Sequence, residues 1–184
     1  MKTTKTFVFS VLLAGGLALF GCSKNAPTGS NPTGKKQTAQ ANYGKTPGPL
    51  PDNGFKGQVT LLDPPAKLRA GEKATIQVKV KNSSGALWYA RGAEVNNSSD
   101  NKFYLAVGDR WLNAADEKLV TDMDGRYGLN KDLRPGEETE VPLAITAPKE
   151  PGNYILEVDL VQEQVAWFRD KGSPTAQTKV TVVQ

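Results

Sequence analysis

Histidine is absent from this chain, and cysteine occurs once, at Cys22. Without histidine there is no Ser-His-Asp triad, no Cys-His pair and no imidazole metal site. A single thiol closes no intrachain disulfide, so hydrophobic burial alone must hold any fold together. No apolar run approaches the roughly 20 residues that a spanning helix needs. Phe7 to Phe20 is the longest, and it is broken by Ser10 and by small residues. Tryptophan is sparse too, with three residues in all. Enzymatic chemistry is therefore not expected, and no cofactor is called for.

The basic pI of about 9.1 overstates the charge of the part that folds. From Gly57 onward, 16 Lys and Arg face 18 Asp and Glu, a net of −2. The positive excess lies before that point, at Lys2, Lys5, Lys24, Lys35, Lys36, Lys45 and Lys56 against Asp52 alone. Such a segment suits an anionic lipid surface. A basic face for nucleic acid is not indicated.

Lys2 and Lys5, the apolar run and the small residues after it have the form of a secretory signal. The string Leu19-Phe20-Gly21-Cys22-Ser23 resembles the lipobox of bacterial lipoproteins. The resemblance implies cleavage between Gly21 and Cys22, with diacylglycerol on the Cys22 thiol and a further acyl chain such as palmitate on the new amino group. At about 0.8 kcal/mol per buried methylene, two or three chains attach durably. With serine after the cysteine, the family's sorting rule points to the outer membrane. Residues 1–21 are then the signal. Residues 22–55, rich in Pro, Gly, Asn, Thr and Lys, read as a disordered tether. A coil of about 33 residues spans about 30 Å on average and about 100 Å when taut.

From residue 56 to 184 the hydrophobic period is two. Ala74, Ile76, Val78 and Val80 alternate with Thr75, Gln77 and Lys79, which predicts a strand with one buried face. Val141, Leu143 and Ile145 repeat the pattern, as do Tyr154, Leu156, Val158 and Leu160. Val180 with Val182 ends the chain on it, and Val59 with Leu61 opens it. Phe103, Leu105 and Val107 predict a central strand, with a shorter one near 118–121 or 126–129. Pro142 has no N–H to donate, so its strand belongs at an edge or carries a bulge. About seven short strands separated by Gly-containing turns predict an all-β, antiparallel two-sheet sandwich.

Leu68-x-Ala-Gly-Glu72, Leu133-Arg134-Pro135-Gly136-Glu137 and Pro151-Gly152-Asn153-Tyr154 sharpen this expectation. In this order they resemble the immunoglobulin-like or fibronectin-III-like modules of bacterial envelope proteins. The resemblance implies that Tyr154 forms a tyrosine corner, its phenol bonded to nearby backbone.

Five aromatics are candidate binding residues: Trp88, Tyr89, Trp111, Trp167 and Phe168. Aromatic faces stack on sugars and anchor protein interfaces. Filling the core is the plainer reading for Trp88, Trp167 and Phe168, and Trp111, which follows Asp109-Arg110 after a strand, is open to either core or surface. Asp122 and Asp124, just before Gly125, offer alternating carboxylates of the kind calcium takes. Position 133, where such a loop needs glutamate, is leucine, and Asp-Gly is also a common turn. A carboxylate pair for catalysis would need something like Asp122 with Glu163. The polar run Asn96-Asn97-Ser98-Ser99 reads as a loop tip. The function expected is a lipid-anchored, non-catalytic binding module for an envelope protein. Carbohydrate recognition, or a structural place in a surface assembly, is the alternative.

Overall fold

A computed structural model describes residues 46–94 and 99–184. Cys22, Gly21, the signal and most of the tether lie outside the described residues, as does Asn96-Asn97-Ser98.

Ten strands follow one another: β1 Gly57–Leu62, β2 Lys67–Arg69, β3 Lys73–Asn82, β4 Ala93–Glu94, β5 Leu105–Asn113, β6 Leu119–Gly128, β7 Glu138–Thr146, β8 Gly152–Gln162, β9 Ala166–Trp167 and β10 Ala176–Val183. Seven of them run six residues or more. They form two sheets, one ordered β1-β3-β7 and the other β2-β10-β8-β5-β6-β4, with β9 paired to β8. Every pairing is antiparallel except that of β2 with β10. The fold is the all-β two-sheet sandwich that the alternation predicts, of the immunoglobulin-like kind that the resemblance implies.

The core forms where the two inner faces meet. In β3, Ile76, Val78 and Val80 point inward, and in β7 so do Val141, Leu143 and Ile145. Val78 lies opposite Val141 and Ile76 opposite Leu143, so each pair shares one face. Leu105 and Val107 of β5 and Leu156, Val158 and Leu160 of β8 close the core from the other sheet. At about 25 cal/mol per Å2, each such side chain stabilises the fold by roughly 1.5–3 kcal/mol. Pro142 sits on β7, at the edge of its sheet, where the missing N–H interrupts no ladder.

The paired Gly-Glu motifs have a common mechanism. Gly71 and Gly136 take φ of +70° and +84°, open to glycine at no steric cost. Glu72 and Glu137 then reach back, each accepting an N–H with Oε2: from Arg69 at 2.6 Å and from Arg134 at 2.8 Å. The tyrosine corner is present, with the Tyr154 hydroxyl donating to the Glu150 carbonyl at 2.8 Å.

Two expectations are corrected. The stretch before residue 56 is not all tether. Phe55 is buried in the core. Gln162 accepts the Leu50 N–H with Oε1 at 2.9 Å and donates Nε2 to the Gly48 carbonyl at 2.9 Å. A short 3-10 turn at Asp52–Gly54 delivers the Gly54 carbonyl to the indole N–H of Trp88. The apolar Leu50 and Phe55 bring this end onto the domain despite its tether-like composition. The second correction concerns β6. It spans both of the alternatives read for a short strand, and so takes in Asp122 to Gly125.

Candidate functional site

Of the five candidate aromatics, the fold removes three. Trp88, Trp111 and Phe168 are fully buried. Phe168 packs edge-on to both Trp88 and Phe55, each at 5.1 Å between ring centres. Trp111 meets Tyr154 edge-on at 6.4 Å. Of the two places left open for Trp111, the core is the one it takes, because the residue lies on the inner face of β5, opposite Leu156. Tyr89 is half-buried, and its carbonyl receives the Leu105 N–H. Trp167 is half-buried too, and a cluster forms around it.

That cluster stands on the outer face of the larger sheet. β8 is central in that sheet, so its alternation leaves Ile155, Glu157, Asp159 and Val161 facing outward beside Leu112, Arg110, Gly108 and Ala106 of β5. An outward face of an antiparallel sheet is commonly solvated, yet these four β8 residues are all buried. The segment after β8 folds back and covers part of this face. A Cβ on Gly108 would lie 2.7 Å from the far edge of the Trp167 ring. Glycine there is what lets the indole reach the sheet. The guanidiniums of Arg126 and Arg169 lie over this ring, 5.2 and 4.5 Å from its centre, within cation–π range.

Each arginine is held by a buried carboxylate. Arg126 Nη1 donates to Glu163 Oε2 at 3.1 Å. Asp159 Oδ2 accepts the Arg169 backbone N–H at 3.1 Å and faces its Nη1 at 3.5 Å. Further along the sheet, Arg110 Nε and Gln177 Nε2 both bond Glu157. Burial raises Asp159 to about 6, against the bonds from Arg169 and Leu160. Burial also raises Glu163, opposed by Arg126. At Glu157 burial acts in the same sense, but the bonds from Arg110 and Gln177 outweigh it and hold the group below its ordinary value. One oxygen of Glu163 has no partner among the described residues, and a shallow cavity of about 230 Å3 opens between Glu163, Arg126, Val165 and Trp167.

The acidic pair lies elsewhere. Asp122 and Asp124 are exposed strand residues of β6, not a turn. Among the described residues no three carboxylates are grouped to hold a metal ion, so the calcium reading of Asp122 and Asp124 finds no support. The Asp122–Glu163 pair does not form a catalytic couple: Asp122 stands opposite Arg110 in register, whereas Glu163 bonds Arg126.

A further buried carboxylate, Asp109, missed by sequence reasoning, sits at the irregularity of β6. Pairing between β5 and β6 slips between Gly108 and Arg110, and again between Trp111 and Leu112. These are β-bulges, which leave extra residues of one strand outside the ladder. At the first, Asp109 points inward and accepts the Gly125 N–H with Oδ1 at 2.6 Å. The other oxygen, Oδ2, has no partner among the described residues. Burial, with the charges of Asp124 and Asp122 adding to it, raises Asp109 to about 7 despite the bond from Gly125.

No protein-family model matches this chain, and no curated protein does. Among solved structures it is similar to the CARDB domain of PF1109 from Pyrococcus furiosus, at 18% identity over 70% of this chain and 94% of that one, with a TM-score of 0.40. It is similar to a beta-glucosidase from Listeria innocua at 15% identity over 70% of this chain but 16% of the enzyme, with a TM-score of 0.40. Spo0M, a sporulation control protein from Bacillus subtilis, matches at 15% identity over 70% and 49% of the two chains, with a TM-score of 0.36. At these scores the likenesses assign no activity, and the fold described above rests on the chain's own strand order.

Proposed function

We propose that this protein is a lipid-anchored, non-catalytic immunoglobulin-like module of the bacterial envelope. It binds a protein partner through the outer face of the larger sheet around Trp167. One observation carries the reading: a half-buried tryptophan standing on Gly108 under two guanidiniums, each fixed by a buried carboxylate. Tryptophan and arginine dominate interface hot spots, and rigid anchors lose little entropy on binding. Glu157, Asp159 and Glu163 are all engaged by arginines, an arrangement that suits holding a surface in place. Carbohydrate recognition would need several exposed aromatics in one plane. With Trp88, Trp111 and Phe168 in the core, that platform is not formed.

Lipid on Cys22 fixes the module to the outer membrane, and the tether gives it reach. The test is a crosslinking pull-down from intact cells with wild type, Cys22→Ala and Trp167→Ala. One dominant protein is expected with wild type alone. Removing a hot-spot tryptophan costs at least about 2 kcal/mol, or about thirtyfold in affinity. Equal recovery with Trp167→Ala refutes the surface, and equal recovery with Cys22→Ala refutes the anchor.

A further inference from the structure

The strand β6 is paired along one side with β5. On the other side, among the described residues, only Tyr127 and Gly128 have a strand partner, in β4. The stretch Leu119–Asp122 is therefore a free sheet edge. It is also apolar and outwardly displayed, with Leu119 53% and Val120 45% exposed. Natural edges of this kind are blunted by proline, lysine or a covering loop, and an unblunted one is a template for strand addition. The contrast with β7 is direct, since that edge carries Pro142. Lys118, just before β6, is held by Asp116 at 2.8 Å.

A cavity of about 400 Å3 adjoins the same stretch, lined among others by Val120, Thr121, Asp124, Thr146, Pro148 and Tyr154. Its origin lies in the bulges. At Gly125 the two sheets close: a Cβ there would lie 1.7 Å from the Ala144 carbonyl oxygen of β7. On the Val120 side of that contact, β6 and β7 border the cavity instead. Val120 and Asp124 both lie at the slips in register, where bulged residues are re-aimed out of the regular pleat. The bulge before Arg126 also ends the straight stretch, which limits any added strand to a short one.

Charge selects the occupant. Asp116, Glu117, Asp122 and Asp124 against Lys118 give this edge a net of −3, and Lys149 and Glu150 across the cavity cancel. A second copy related by a two-fold axis would set these carboxylates against one another. We propose that the free edge of β6 takes up an extended basic segment of a partner protein, which adds a strand beside Leu119–Asp122 and lodges an apolar side chain in the cavity. Backbone hydrogen bonds supply affinity, and the cavity and the carboxylates supply selection. This site is separate from the Trp167 face and stands or falls independently of it.

The test uses the full chain and fluorescence anisotropy with a labelled, end-blocked peptide of about eight alternating lysines and valines. Two control peptides are needed: the Glu-Val counterpart, and the Lys-Val peptide N-methylated at alternate backbone nitrogens. Saturable binding of the Lys-Val peptide is expected. It should weaken about tenfold or more on N-methylation, and likewise with Val120→Lys or Asp122→Lys. Both positions are exposed, so a thermal melt close to that of wild type will show that these variants fold. Lys131→Ala, outside β6 and not in the cavity lining, should bind as wild type does. No saturable binding up to about 1 mM, equal binding of the Glu-Val peptide, or indifference to N-methylation would overturn the proposal. So would concentration-dependent dimerisation that Asp122→Lys strengthens, which would make a second copy the occupant.

Discussion

Asp109→Asn should remove a specific part of this protein's pH dependence. The side chain points into the core between Val107 and Trp111, with one oxygen bonded to the Gly125 N–H and the other unpartnered among the described residues. Its pKa in the fold is about 7, against an ordinary 3.8. Because the folded value is raised, the folded state binds the proton more tightly than the unfolded chain does. Stability is then fullest below about pH 4 and is lost as pH rises towards 7, with no further loss above it. The gap between 7 and 3.8, at about 1.4 kcal/mol per pH unit, sets a ceiling of about 4 kcal/mol. Relaxation around the ionised group brings this to about 2–4 kcal/mol. Asparagine keeps the oxygen that Gly125 needs and never ionises. Its amide hydrogens cost about 1–3 kcal/mol if they stay unbonded, but that cost is the same at every pH. Urea unfolding of both proteins, followed by tryptophan fluorescence from about pH 4 to 8, isolates the effect. Asp159 and Glu163, also raised, and Glu157, lowered, titrate in both proteins and cancel in the difference. The variant should gain on wild type steadily between about pH 4 and 7 and then run parallel to it. A difference that stays constant across the whole range would refute the reasoning, since Asp109 would then ionise in the fold as it does in water.

Two further outcomes test the architecture. Gly125→Ala places a methyl where the Ala144 carbonyl stands, and neither backbone can yield without breaking the seam. A loss of 3 kcal/mol or more, beyond ordinary overpacking at about 1–3, is expected in urea unfolding, and a melt within a degree or two of wild type would contradict it. Deleting residues 46–55 removes Phe55 from the core and strips the Trp88 indole of its acceptor. Lost burial of about 1.5–3 kcal/mol and an unsatisfied buried donor of about 1–3 kcal/mol should together lower the melting temperature by roughly 10 °C or more. An unchanged melt would return these residues to the tether.

The sandwich was legible because most of its ladders are unbroken. Where a strand keeps its register, faces alternate and the period of two reads through, as in β1, β3, β7, β8 and β10. Pro142 announced its edge and Gly152-Asn153-Tyr154 its corner for equally local reasons. Burial of the outer face was not local. Nothing near Glu157, Asp159 or Glu163 in sequence names the arginines that hold them, which lie 47, 10 and 37 residues away. Alternation marks these carboxylates as facing away from the core. It is silent on whether another segment comes back to cover them.

The misreading of β6 has one physical cause. A period-two rule assigns a face to each residue only while both strands advance together, and a bulge advances one without the other. In β5 the rule runs Leu105, Val107, Asp109, Trp111 inward, and it is obeyed. The charge at Asp109 made that run look finished, so Trp111 read as lying past the strand and its face was left open. In β6 the two slips bring Val120 outward and free the Gly125 N–H from the ladder. Asp122 to Gly125 then had the look of a turn. A buried carboxylate is costly unless something demands it, and the freed N–H of Gly125 makes that demand. The bonded acid in the core and the open edge with its cavity thus belong to one irregularity. Asp109→Asn and the strand-addition peptide probe the same bulged strand from its inner and outer sides.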